Sequence, residues 1–211
     1  TAPLPAGAPI KPGITDIYPK YQEGDRYYCN TRNPTISWNP TEAGARICFT
    51  DENSLVSTYF VTNQAGNSFT TPPLDGGDYL VYVQTVNNAG GSSWSAPCRI
   101  TIDTNPPVIS AIRETVKYGK VHLTFSTSEP VRVNVYWDSC LLQLPGGSES
   151  FIQYNNADND LDLGYPDTNP GTTHNYRLEI LDKAQNRFTT GVFQFGNSQG
   201  ANISNTTKNF G

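Results

Sequence analysis

Leu74-Asp75-Gly76-Gly77-Asp78-Tyr79-Leu80-Val81-Tyr82-Val83-Gln84 is the stretch on which the fold turns. A turn at Asp75-Gly76-Gly77 opens onto a run with Tyr79, Val81 and Val83 on one face and Leu80, Tyr82 and Gln84 on the other. Period two belongs to an extended strand, whereas a helix would bring apolar residues back every three to four positions. The same grammar continues upstream. Ile36 and Trp38 share a face, with Trp38 as the expected core anchor, turns follow at Asn39-Pro40 and Ala43-Gly44, and Ala45, Ile47 and Phe49 alternate against Arg46, Cys48 and Thr50. A strand over 58–61, a turn at 64–67 and the apolar Phe69 complete the approach. Downstream, a loop over 87–91 leads to alternating Cys98, Ile100 and Ile102. The leader over 3–12 is punctuated by prolines, which remove ladder donors, so it can add an edge strand at most.

Asp103-Thr104-Asn105-Pro106-Pro107 marks a boundary, because paired prolines hold the chain extended and cannot join a central ladder. Beyond it the pattern starts again. Residues 108–112 open a sheet, Val121, Leu123 and Phe125 alternate around His122 and Thr124, and Val131, Val133, Val135 and Trp137 follow. Tyr176, Leu178 and Ile180 form one face of a later strand, 182–186 is a turn, and 192–195 closes the unit. No amphipathic helical stretch intervenes. The expectation is an all-β chain of two tandem β-sandwiches on a short, stiff proline link, over 1–103 and 104–196, with a polar tail over 197–211.

Three pieces of the first half resemble a fibronectin type III-like domain of secreted and surface proteins. They are Pro34-Thr35-Ile36-Ser37-Trp38-Asn39-Pro40, Leu74-Asp75-Gly76-Gly77-Asp78-Tyr79 and Asn88-Ala89-Gly90-Gly91-Ser92-Ser93-Trp94-Ser95. In the second half, Asn105-Pro106-Pro107-Val108-Ile109, Phe125-Ser126-Thr127-Ser128-Glu129-Pro130-Val131 and Asp182-Lys183-Ala184-Gln185-Asn186 look like parts of a bacterial immunoglobulin-like domain. Gln185 stands where that family commonly has glycine. The resemblances imply a spacer or adhesive module and bring no catalytic residues. One departure is the long stretch from Ile17 to Cys29, richer in tyrosine than the connection it replaces.

Charged residues are only 16% of the chain and the net charge is −5, so the polarity comes from uncharged turn formers. Nucleic acid and anionic membranes are not expected as partners, because phosphate binding needs clustered Lys and Arg. No apolar run approaches the length of a spanning helix, so membrane insertion is not expected. The sequence holds no Met, which reads as a processed product or excised fragment, and export is inferred from composition.

Tyr18, Tyr21, Tyr27, Tyr28 and Trp94 are the candidate binding residues, since aromatic side chains offer a flat apolar face with a polar edge. Two readings of the tyrosines stand: a platform for glycan or protein, or rings that cover a sheet edge of their own sandwich. Trp94 likewise either meets a ligand or packs at the end of the sheet. Cys29 and Cys48 are the candidate disulfide, on the expectation that the segment before one strand and the end of the next meet at one pole; Cys98 and Cys140 are buried thiols or a bridge. The alternative is four reduced cysteines.

Asp158, Asp160 and Asp162 alternate in an acidic loop and are the candidate Ca²⁺ ligands, in no EF-hand, because Leu163 and Asn169 stand where its glycine and glutamate belong. A solvated acidic turn is the competing reading. Gly196-Asn197-Ser198-Gln199-Gly200 matches a nucleophile-elbow string, but both histidines, His122 and His174, precede it and no helix follows. His122 is expected outward on a strand and His174 in a turn. The tail holds the glycosylation strings Asn202-Ile203-Ser204 and Asn205-Thr206-Thr207.

The expected function is a non-enzymatic extracellular or cell-surface protein serving adhesion or a surface assembly such as a filament, layer or matrix. Its partners would be copies of itself, other surface proteins or a glycan. The alternative is a carbohydrate-binding or spacer module of a secreted polysaccharide-degrading enzyme; a hydrolase built on the acidic loop comes third.

Overall fold

The computed structural model describes residues 7–19, 21–63, 66–117, 119–143, 159–164, 172–196 and 206–208. The chain is all-β and divides into two compact units, Thr1–Asn105 and Pro106–Gly211, with the break inside the proline-marked segment. Among the described residues no helix is long and apolar enough to cross a membrane.

The first unit carries β1 (Gly13–Tyr18), β2 (Tyr21–Glu23), β3 (Arg26–Cys29), β4 (Thr35–Glu42), β5 (Gly44–Asp51), β6 (Ser57–Thr62), β7 (Gly66–Thr70), β8 (Gly77–Asn87), β9 (Gly90–Gly91) and β10 (Cys98–Ile102). One sheet has the order β1-β4-β7 and the other β2-β3-β10-β8-β5-β6, with β9 on β8. All pairs are antiparallel except β3 with β10. The inward residues of both sheets, among them Ile17, Ile36, Trp38, Ile47, Phe49, Val81, Val83 and Ile100, make one buried core. The Tyr79 hydroxyl donates to the Asp75 carbonyl at 3.0 Å, closing the turn at the start of β8 as the tyrosine corner of such sandwiches does. At the other end of the β5–β6 hairpin, Gly44 passes so close to β6 that a Cβ would lie 2.5 Å from the Thr62 carbonyl oxygen.

One local expectation is corrected. The expected turn at Asn39-Pro40 lies within β4, whose pairing with β7 shifts register between Ser37 and Glu42. The tyrosine-rich stretch supplies the end of β1 and a β2–β3 hairpin that extends the large sheet beyond β10.

The second unit carries β11 (Ile112–Lys117), β12 (Lys120–Phe125), β13 (Arg132–Trp137), β14 (Cys140–Leu141), β15 (Asn159–Asp162), β16 (Thr173–Leu181), β17 (Arg187–Thr189), β18 (Phe193–Gly196) and β19 (Thr206–Lys208). The sheets run β15-β12-β11-β19 and β14-β13-β16-β17, with β18 on β16. Their inward residues, including Ile112, Leu123, Phe125, Val135, Leu178 and Phe195, share a second core. Residues 206–208, within the stretch read as a polar tail, pair with β11. His174, expected in a turn, lies on β16, stacked on Trp137 with ring centroids 5.2 Å apart and bonded through Nδ1 to Asp138 at 2.6 Å.

Candidate functional site

On the outer face of the large sheet of the first unit, the residues between the inward-facing core positions form an uncharged groove of about 310 Å³. Strand alternation puts Cys48 and Thr50 of β5, Ser57 and Tyr59 of β6 and Tyr82 of β8 on this face. Trp94 and Ser95 close the far side. The register pairs Tyr59 with Cys48 and Cys48 with Tyr82. Cys48 is the small member of that row, and the rings of Tyr59 and Trp94 meet above it with centroids 6.4 Å apart, inclined at 56°. Cys48 is thereby buried although it lies outside the core, its Sγ 3.6 Å from the Thr50 hydroxyl.

The position of Trp94 follows from two serines. The Ser92 and Ser95 amides donate to the carbonyls of Thr85 and Val83, at 2.9 and 2.8 Å. In return the Thr85 and Val83 amides donate to the hydroxyls of Ser92 and Ser95, at 3.1 and 3.0 Å. Side-chain oxygens thus stand in for ladder carbonyls along the edge of β8, and the segment is held like a strand without being one. Trp94, between them, is fixed over the sheet.

Beside the groove the same face turns ionic. Arg26 bridges Glu52 and Asp78 at 2.8 and 2.6 Å, and Arg99 reaches Glu52 at 3.2 Å. These pairs tie β3 and β10 to the β5 and β8 ends, so the uncharged groove and the charged patch are separate areas.

The structure disperses the tyrosines named from sequence. Tyr27 packs against the core. Tyr21 and Tyr28 face each other across the β2–β3 hairpin at 6.3 Å, and Tyr18 is exposed at the end of β1. Only Trp94 lines the groove; its partners Tyr59 and Tyr82 escaped notice, because each reads in sequence as one more outward strand residue.

The Cys29–Cys48 disulfide is corrected: all four cysteines are free. The β2–β3 hairpin docks on β10, so β10 and β8 stand between β3 and β5. Three strand spacings are about 14 Å, far beyond the reach of a disulfide. The faces also differ, with Cys29 in the core and Cys48 under the groove. Burial pushes the Cys29 thiol up to about 12 and the Cys98 thiol up to about 11, with smaller contributions from neighbouring negative charge.

Asp160 and Asp162 are strand residues of β15, and Asp158 lies outside the described residues. Alternate residues on a strand are about 6.6 Å apart, and these two turn to different cations. Asp160 meets Lys117 at 3.1 Å and His122 Nδ1 at 2.7 Å, while Asp162 meets Lys120 at 2.9 Å and accepts the Gly164 amide at 2.7 Å. The Lys120 ammonium holds the Asp162 carboxyl below the usual carboxylate range. Each carboxylate is thus paired with its own lysine. Of the elbow string, residues 197–200 lie outside the described residues, as do Asn202 and Asn205 of the glycosylation strings.

No family model and no curated protein matches the chain. Solved structures similar to it include the FN1-FN3 domains of chicken CNTN1, at 14% identity and a TM-score of 0.45 over 92% of this chain and 67% of that one. The fibronectin(III)-like modules of Clostridium thermocellum CbhA are 14% identical, with a TM-score of 0.42 over 87% of this chain and 90% of that one. A two-domain fibronectin type III segment of chicken tenascin is 11% identical, at 0.40 over 88% of this chain and 100% of that one.

Proposed function

We propose that this chain is a non-enzymatic module of an extracellular or cell-surface protein and works by contact, in adhesion or in assembly of a surface structure. The observation that carries this reading is the edge of the large sheet in the first unit. There β6 ends the strand order, and Leu55, Val56, Tyr59 and Val61 are 73, 64, 62 and 60% exposed. A sheet edge offers unpaired amides and carbonyls, and native proteins blunt such edges unless they use them. Beads coated with the chain are expected to cluster with one another or to adhere to cell-surface or matrix material. Beads that stay dispersed and adhere to neither would sink the reading.

The groove supports a second reading, binding of a carbohydrate. Tyr59, Tyr82 and Trp94 offer ring faces, and Thr50, Ser57 and Ser95 place hydroxyls between them. Titration of tryptophan fluorescence with soluble polysaccharides tests it, with Trp94→Phe identifying the reporting ring. An emission that no polysaccharide changes removes this alternative.

A further inference from the structure

We infer that β6 is a docking edge for a second copy of this chain, the two β6 strands pairing antiparallel about a two-fold axis so that two large sheets become one. This rests on the contact reading above and names its surface and partner.

The first support is comparison among edges. Among the described residues of the first unit the outermost strands are β2 and β6 of the large sheet and β1 and β7 of the small one. β2 has three residues and ends on Glu23, and β1 contains Asp16 and a register shift between Ile14 and Asp16. Short length, charge and a bulge are the usual means of refusing a neighbour. β6 has none of them: its six residues, Ser57-Thr58-Tyr59-Phe60-Val61-Thr62, pair with β5 in unbroken register. They are β-branched, aromatic or hydroxyl residues, with neither charge nor proline, a composition suited to strand-to-strand stacking.

Charge decides the occupant. The sequence has no Lys, Arg, His, Asp or Glu between Glu52 and Asp75, so the whole stretch carrying β6 and β7 is neutral in a chain of net charge −5. Both strands are edges, and the Phe60 and Phe69 rings meet at 5.7 Å, which places the two edges on one side of the unit. Two copies of an acidic chain repel over most of their surface, and this side lets them meet without opposing like charges.

Geometry then restricts the register. Side chains on β6 alternate, with Tyr59 and Val61 on the groove face and Phe60 toward the core. A two-fold axis perpendicular to the sheet keeps outer faces aligned only when it passes through a residue. Centred on Phe60, it sets Tyr59 opposite Val61 of the second copy, and Val61 opposite Tyr59 of the second copy. The aromatic groove then continues across the junction.

The test is sedimentation equilibrium over a wide concentration range in reducing buffer, which keeps exposed Cys140 from linking copies. It is accompanied by hydrogen exchange at low and high concentration. The chain is expected to dimerise, with β6 amides gaining protection at high concentration. Val61→Lys and Tyr59→Lys, both at exposed positions, should weaken association by roughly tenfold or more. Val192→Lys, at a residue 66% exposed on the second unit, should leave it unchanged. Circular dichroism confirms that each variant is folded. A chain that stays monomeric, or a dimer indifferent to both β6 lysines with no β6 protection, overturns the inference. If bead adhesion persists in either case, the contact reading survives; if it is lost as well, both fall.

Discussion

The Tyr176 hydroxyl donates a 2.6 Å hydrogen bond to the Glu114 carboxylate, and both side chains are buried in the second unit. Tyr176 is on β16 and Glu114 on β11, so the bond crosses from one sheet to the other through the apolar core. A hydrogen bond of this kind contributes about 0.5–1.5 kcal/mol, and removing its donor leaves the buried carboxyl less well satisfied than before. Tyr176→Phe is therefore expected to lower the melting temperature of the second unit by several degrees, read by calorimetry. An unchanged midpoint would show that the bond adds nothing.

The same pair makes the second unit sensitive to alkali. Burial first, then the negative charge of Glu114 and the bond to it, raise Tyr176 far above the ordinary tyrosine range. The folded state keeps this proton at pH values where the unfolded chain, with a tyrosine pKa near ~10, has released it. Stability that is fully present below pH ~10 then falls as the pH rises further, because the folded state binds more protons than the unfolded one. Denaturant midpoints measured between neutral pH and pH ~11 should show this slope, and Tyr176→Phe should flatten it. A slope equally steep in the variant would locate the cause elsewhere.

Much of the architecture was legible because its strands alternate cleanly: β8, β12, β13 and β16 place their apolar residues at every second position, as read. Of the strands that the sequence did not announce, two escaped for identifiable reasons. In β1 the bulge between Ile14 and Asp16 puts Ile14 and Ile17 an odd number of residues apart, which erases period two. In β11 the middle inward position, between Ile112 and Val116, is Glu114, and a charge at a core position reads as an exposed face. The groove was less legible still. Cys48, Tyr59, Tyr82 and Trp94 come from four separate segments, and their meeting depends on strand order, which alternation does not encode.

Thiol chemistry should rank the cysteines by burial. With Cys29 raised to about 12 and Cys98 to about 11, both are protonated at neutral pH, and only the thiolate reacts. Cys140 is exposed on β14 and should be labelled first by a thiol reagent, whereas Cys29 should react only on unfolding. For both raised thiols, stability is fully present below the ordinary cysteine pKa of about 8.5 and declines as pH rises through the folded values. Mass-mapped labelling checks the order; rapid modification of Cys29 in the folded chain would contradict it.

Ser95→Ala tests whether the groove is built by its serines. The substitution removes the hydroxyl that accepts the Val83 amide at 3.0 Å, leaving that buried donor without this acceptor. The expected cost is about 1–3 kcal/mol to the first unit. The segment carrying Trp94 should loosen with it, so Trp94 emission should shift to longer wavelength before global unfolding. Loss of stability with unchanged emission would separate the serine from the placement of Trp94.

Gln185 offers a test of backbone strain. It sits in the turn between β16 and β17 with φ 70°, a left-handed conformation that suits glycine. Its side chain returns little, with weak 3.4 Å contacts to Arg132 and to the Asp182 carbonyl. The turn is held instead by Asp182, which is fully buried and accepts the Asn186 amide and side-chain nitrogen at 2.9 and 2.8 Å. Left-handed geometry costs an ordinary residue about 1–2 kcal/mol, and glycine gives back part of that relief through a freer unfolded chain, about 0.4–1 kcal/mol. Gln185→Gly should therefore match or raise the melting temperature of the second unit, and Gln185→Val, branched at Cβ, should lower it. If glycine proved the less stable of the two, the side-chain contacts and not the backbone would be what this turn depends on.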